Sequence, residues 1–170
     1  MVVHETAKAV LVMGVSGCGK TTVGRKVADA VGWPFFDADD FHSPGNIAKM
    51  AGGIPLTDQD RQPWLQTLHD LMTEQLHDNR SFVLACSALK QAYRDILLAG
   101  HANVSIVYLR GDFDLIWARM KAREGHYMRA EMLQSQFDAL EAPTDALIIE
   151  AGLDPDEIVV QIRSGCGVGM

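Results

Sequence analysis

The run Gly14-Val15-Ser16-Gly17-Cys18-Gly19-Lys20-Thr21 constrains this chain more than any other stretch. It matches G-x-x-x-x-G-K-[ST], a loop whose backbone N–H groups surround nucleotide phosphates. Glycine belongs there because a Cβ would keep the backbone away from phosphate oxygens. A helix starting at the end of the loop adds unpaired amide donors and the positive end of its dipole. The pattern assigns Lys20 to the β- and γ-phosphates of a nucleotide and the Thr21 hydroxyl to Mg2+. Gly14, Val15, Ser16, Gly17, Cys18, Gly19 and Thr22 complete the expected nucleotide-binding set. The flanks agree. Ala9-Val10-Leu11-Val12-Met13 is a continuous apolar run, as in a strand buried on both faces of a parallel sheet. After the loop, Val23, Val27, Ala28 and Val31 recur at helical spacing, and Gly32 supplies a stop.

At 170 residues the chain has the size of one domain with a full core. Its 48% hydrophobic and 22% charged residues exclude a disordered chain. A net charge of −7 argues against a nucleic-acid partner, which would require a basic face. Cys18, Cys86 and Cys166 are scattered, form neither a disulfide framework nor a metal pattern, and fit a reducing compartment. The first residues lack the basic-then-apolar order of a signal peptide, and no apolar run reaches membrane-spanning length. A soluble, cytoplasmic protein with no membrane partner is expected.

Beyond the first helix, residues 33–37 read as a short second strand delivering Asp37, Asp39 and Asp40 at its carboxyl end, where parallel sheets bind ligands. A helix N-cap with first-turn acids is the alternative for these three. A short helix from Asn46 to Met50 and a longer one capped at Thr57, with Pro63 in its first turn, suggest a substrate-binding helical insertion over about 41–78. Residues 81–86 read as a third strand ending in Cys86-Ser87, where many phosphate-loop proteins carry a metal-supporting Asp. The acid near the metal must therefore come from elsewhere, and Asp37 is the best candidate. Lys90 and Arg94, four apart, share a helix face in this reading, as do Arg119 and Arg123 before Glu124-Gly125-His126. Two arginines and a glycine hinge suit a phosphate-covering lid over about 119–130. Solvated cationic faces are the alternative for both pairs. Met132, Leu133, Phe137 and Leu140 read as core of the next helix, residues 146–150 as a fifth strand, 154–163 as a last helix and 164–170 as a loose tail.

Several blocks together resemble the gluconokinases, small kinases related in fold to shikimate and nucleoside monophosphate kinases. They are the phosphate loop, Phe36-Asp37-Ala38-Asp39-Asp40-Phe41-His42, Gly53-Ile54-Pro55-Leu56-Thr57-Asp58 and Cys86-Ser87-Ala88-Leu89-Lys90. Tyr108-Leu109-Arg110-Gly111-Asp112, Gly125-His126-Tyr127-Met128 and Ser135-Gln136-Phe137 continue the similarity almost to Glu150. The resemblance implies one α/β domain spanning 1–170, a three-layer P-loop kinase fold with a five-stranded parallel sheet, helices on both faces, a small lid and a substrate-binding subdomain. It implies ATP-dependent phosphorylation of D-gluconate on its 6-hydroxyl, Mg2+ as cofactor and a homodimer.

Lys20, Asp37 and Arg123 are then the candidate catalytic residues, Thr21 and Asp37 the metal pair, and Arg119 a nucleotide contact. Substrate falls to Asp37, Asp39, His42, Arg61, Lys90, Arg94 and His126. Asp37 and Asp39 share their roles undivided here, and either lid arginine can stack on adenine. Cys18 stands where the family often has Ser, which raises an expectation of oxidation-sensitive ATP binding. A shikimate or nucleoside monophosphate kinase, or a non-catalytic nucleotide-binding module, remain the alternatives; no Asn-Lys-x-Asp guanine signature supports a switch.

Overall fold

The computed structural model of the protein describes residues 6–123 and 129–169. In chain order its elements begin with β1 (Ala9–Met13), α1 (Lys20–Val31), β2 (Phe35–Asp37), a 3-10 turn at Ala38–Phe41, and α2 (Pro44–Ala51). α3 (Asp58–His77), β3 (Phe82–Ala85), α4 (Gln91–Leu98), β4 (Val104–Arg110) and α5 (Phe113–Ala122) follow. α6 (Ala130–Ala139), β5 (Leu147–Glu150) and α7 (Pro155–Cys166) complete the chain.

β1 lies at the centre of a five-stranded sheet of order β2-β3-β1-β4-β5, every pairing parallel. Successive residues of a strand face opposite ways, and both faces of β1 are covered, which is why its sequence is apolar without alternation. Val10 and Val12 enter a core with Val23 and Val27 of α1, Ile116 of α5, Leu133 of α6 and Ile162 of α7. Ala9, Leu11 and Met13 enter the opposite core with Trp64, Leu65, Leu68 and Met72 of α3 and Leu97 of α4. The expected α/β sandwich with helices on both faces is therefore what the chain forms. Burying a leucine such as Leu11 or Leu68 contributes roughly 1.5–3 kcal/mol to each core.

The ends of elements depart from the sequence reading in two places. Thr57 and Asp60 form a reciprocal cap that starts α3 at Asp58, so Pro63 falls in its second turn, not its first. The C-terminal stretch is no loose tail. α7 continues to Cys166, Gly167 adopts a left-handed φ of 61° and donates to the Arg163 carbonyl, and Val168 is buried in the core shared with α1. The sequence of small residues gave no periodic signal, but the surface of α1 supplied a place for Val168.

Candidate active site

Close packing behind the phosphate loop dictates its glycines. A Cβ on Gly14, with φ +150°, would lie 2.7 Å from Cys18 Sγ and 2.8 Å from the Leu109 carbonyl oxygen. One on Gly17, with φ +81°, would lie 2.8 Å from Met120 Cγ. Gly19 caps α1 with no side-chain hydrogen bond, so the first amides of that helix stay open toward an anion. Lys20 Nζ donates to the Val15 carbonyl at 3.0 Å, folded across its own loop. Cys18 is buried behind the loop against Gly14, which removes the basis for oxidation-sensitive ATP binding through an exposed thiol.

The register of β2 on β3 brings Asp37 level with Ala85, beside the loop. Thr21 Oγ1 donates to Asp37 Oδ2 at 2.8 Å, and the Asp39 amide donates to Asp37 Oδ1 at 3.0 Å. Two hard oxygen donors thus converge, which suits Mg2+. Asp39 keeps its carboxylate open to the cleft, yet its pKa is raised, first by desolvation among its neighbours and then by the Asp37 charge. Cys86, at the end of β3, is fully buried and its thiol is pushed up to about 12 by desolvation, which excludes it as a nucleophile.

A cleft of about 940 Å³ runs from this loop to α2 and α3. His42 stacks on Trp64 at 4.2 Å between ring centres and 14° between planes, while Trp64 Nε1 donates to the Ala38 carbonyl at 2.7 Å. The buried Asn46 amide donates to the Asp60 carbonyl at 2.9 Å and faces His42 Nδ1 at 3.5 Å. An amide nitrogen can only donate, so it places the ring proton on Nε2, which lies 3.9 Å from Asp39 Oδ1. Desolvation lowers the His42 pKa, keeping the ring neutral. Arg61 lines the same cleft and donates through Nη1 to the Leu56 carbonyl at 2.6 Å.

A loop built for phosphates, facing a pocket built from an acid, a neutral imidazole and a guanidinium, is the arrangement of a small-molecule kinase. The shikimate kinase family model matches residues 16–163. The chain is 48% identical over 157 residues to a probable gluconokinase of Mus musculus, covering 82% of this chain and 85% of that one. It is 46% identical over 144 residues to the thermoresistant gluconokinase of Escherichia coli, covering 82% of each. This chain belongs to the gluconokinase family. Solved structures agree: a gluconokinase from Sinorhizobium meliloti superposes with TM-score 0.84 at 38% identity, covering 96% of this chain and 93% of that one. A sugar kinase from a Janibacter species superposes with TM-score 0.89 at 43% identity, covering 95% of each.

Of the positions that the gluconokinase resemblance assigned, Ser16, Gly17, Gly19, Lys20, Thr21, Thr22, Asp37, Asp39, His42, Arg61 and Arg123 line the cleft. Gly14, Val15 and Cys18 support the loop from behind. Three cations do not reach the cleft. Arg94 is 1% exposed and its guanidinium is taken up by the carbonyls of Ala88, Leu89 and Glu141 and by Gln91 Oε1, at 2.6–3.1 Å. It ties the turn after β3 to the segment after α6, a correction to its expected role as a substrate cation. Lys90 is the N-cap of α4 with extended backbone, so the shared helix face with Arg94 does not form. Its ammonium is held by Asp58 at 3.1 and 3.3 Å. Arg119, within α5, is also absent from the lining, whereas Arg123, the extended residue that ends α5, is part of it. His126 lies outside the described residues.

Lining residues that escaped the sequence reading in this role include Arg129, Met132, Ser135 and Gln136, on and just before α6. Met132 was expected in the core but faces the cleft. Gln136 Oε1 accepts from the Ser16 amide at 2.7 Å while Gln136 Nε2 donates to Ser16 Oγ at 2.9 Å, pinning α6 to the phosphate loop. The Ser135-Gln136-Phe137 block was the available signal, and without a partner in view it carried no role.

Proposed function

We propose that this chain transfers the γ-phosphoryl group of ATP to the 6-hydroxyl of D-gluconate, giving 6-phospho-D-gluconate and ADP. The observation that carries this reading is the single cleft in which Lys20 and Thr21 face Asp39, His42 and Arg61. Phosphoryl transfer requires in-line positioning and charge neutralisation more than covalent help, and the two halves of the cleft divide those tasks. Lys20 exchanges the Val15 carbonyl for the β- and γ-phosphate oxygens. Thr21 and Asp37 would hold Mg2+, which would supply charge neutralisation to the phosphates. Asp37 spends one oxygen on Thr21 and the other on the Asp39 amide, so it is the metal-side acid. Asp39 remains to align the attacking hydroxyl and draw on its proton. His42 donates from Nε2 to a substrate hydroxyl, and Arg61 receives the carboxylate. Arg123 and Arg129 approach from the lid side, where their charge stabilises the transferring group.

The same reading includes a homodimer working in the cytoplasm without nucleic-acid or membrane partners. The net charge of −7 supports the reading on nucleic acid, and among the described residues no helix is long and apolar enough to cross a membrane; the dimer rests on the family resemblance.

ADP release is to be measured with gluconate, shikimate and nucleoside monophosphates as acceptors, with the phosphorylated position identified. Gluconate should be turned over at least about a hundredfold more efficiently than the others, with phosphate on its 6-oxygen. Preference for shikimate or a nucleotide would replace the proposed acceptor, and tight ATP binding without turnover on any of them would indicate a binding module.

A further inference from the structure

We propose that Asp58, Tyr93 and Lys90 are positioning residues that hold Arg61 with one edge of its guanidinium open to the substrate. The inference rests on the reading above, in which Arg61 receives the gluconate carboxylate. Four side chains from two helix starts meet here. Asp58 opens α3, Arg61 lies one turn later, Lys90 caps α4 and Tyr93 sits in its first turn.

The hydrogen-bond directions set the order of the network. The Tyr93 hydroxyl donates to Asp58 Oδ1, and Lys90 Nζ donates to both Asp58 oxygens. Those two donors pull the Asp58 pKa down, so it is a carboxylate throughout the working range and holds the tyrosine proton. With that proton committed, the phenolic oxygen presents only lone pairs to its other side. Arg61 Nη1 faces them at 3.5 Å and donates to the Leu56 carbonyl at 2.6 Å. The guanidinium carbon lies 5.6 Å from the centre of the Tyr93 ring, as does Lys90 Nζ. A planar cation is thus held by one nitrogen and one ring.

What remains of Arg61 is its other edge. Among the described residues, Nε and Nη2 make no hydrogen bond, and this pair forms the fork that meets a carboxylate through two parallel bonds. Arg61 lines the cleft together with Leu56, His42 and Trp64. Lys90 therefore serves the substrate at one remove, as the counter-charge that keeps Asp58 in place. The Asp58–Lys90 pair is open to solvent on both sides, at 65% and 33% side-chain exposure, so it is worth little as a staple between helices. Orientation is the effect left to it.

The experiment measures KM and kcat for gluconate, KM for ATP, and the preference for gluconate over the neutral hexitol sorbitol. Tyr93→Phe keeps the ring and removes the hydroxyl; Lys90→Gln acts from the surface, where folding is not at stake. Both should raise the gluconate KM, by about tenfold and about threefold respectively, with ATP KM and kcat within about twofold. Both should lower the gluconate-over-sorbitol preference and add nothing on an Arg61→Ala background. Unchanged gluconate KM in both variants, while Arg61→Ala raises it, would overturn the positioning role and leave Arg61 as the carboxylate ligand. Equal rises in the KM of gluconate and ATP would overturn it as well, in favour of a plain contact between helices. If Arg61→Ala leaves the gluconate-over-sorbitol preference intact, the reading of Arg61 itself fails, and the proposal with it.

Discussion

Lys20 and His42 show how much a single side chain depends on its surroundings. Lys20 rests on the Val15 carbonyl, a bond readily exchanged for a phosphate oxygen of higher charge. Lys20→Ala should lower kcat by at least about a hundredfold, in line with the loss of one charge-stabilising donor. Steady-state kinetics check this, and full activity would remove the loop from the reaction. His42 carries a pH signature. Its folded pKa lies below the ordinary value, chiefly through desolvation, so the unfolded chain binds a proton more readily than the folded one. Its contribution to stability is complete above about pH 6.5 and is lost as pH falls toward the folded value. His101 is shifted in the same direction, again chiefly by desolvation, and adds to the loss. Urea midpoints should therefore fall between about pH 7 and 5, and His42→Gln should flatten part of that slope. A midpoint independent of pH in this window would contradict the desolvation of the two rings.

At the scale of elements, the site is assembled by joints between pieces that are far apart in the chain. Lys49 of α2 reaches Asp60 of α3 at 2.8 and 3.0 Å, and this ion pair, ahead of the Thr57 amide, pushes Asp60 down to about 2. α3, carrying Trp64 and Arg61, and α2, whose Asn46 faces His42 just ahead of it, therefore present His42, Trp64 and Arg61 as one wall. On the nucleotide side the joint is Gln136 with Ser16, 120 residues apart. Gln136→Ala removes two hydrogen bonds from the loop without touching the acceptor half. We expect ATP KM to rise about three- to tenfold while gluconate KM stays within twofold. Kinetics with each substrate varied in turn decide it, and equal changes in both would mean that α6 supports the whole cleft and not the loop. Local pattern made the helices legible: spacing and caps announced α1 and α3. Joints of this kind have no periodicity, which is why Gln136 and the burial of Arg94 were not legible.

For the whole molecule, the parallel sheet delivers a hydroxyl from α1 and a carboxylate from β2 to one point beside the loop. If that pair holds Mg2+, a chelator should abolish turnover and Mg2+ should restore it. The stabilisation of the fold by ATP, read as a rise in melting temperature, should shrink under the same chelation. Turnover that persists with the metal removed would rule out Thr21 and Asp37 as a required metal pair.

The phosphate loop, the five strands, the acids at Asp37 and Asp39 and the family itself were all determined by sequence, because each rests on residues adjacent or regularly spaced in the chain. Tertiary structure decided what the cations do. Arg94 went to carbonyls that an open turn left exposed, Lys90 to Asp58, 32 residues away, and Arg61 alone of the three reached the cleft. A charge takes the partner that desolvation and geometry offer it, and those partners exist only once the sheet has brought the helix starts together.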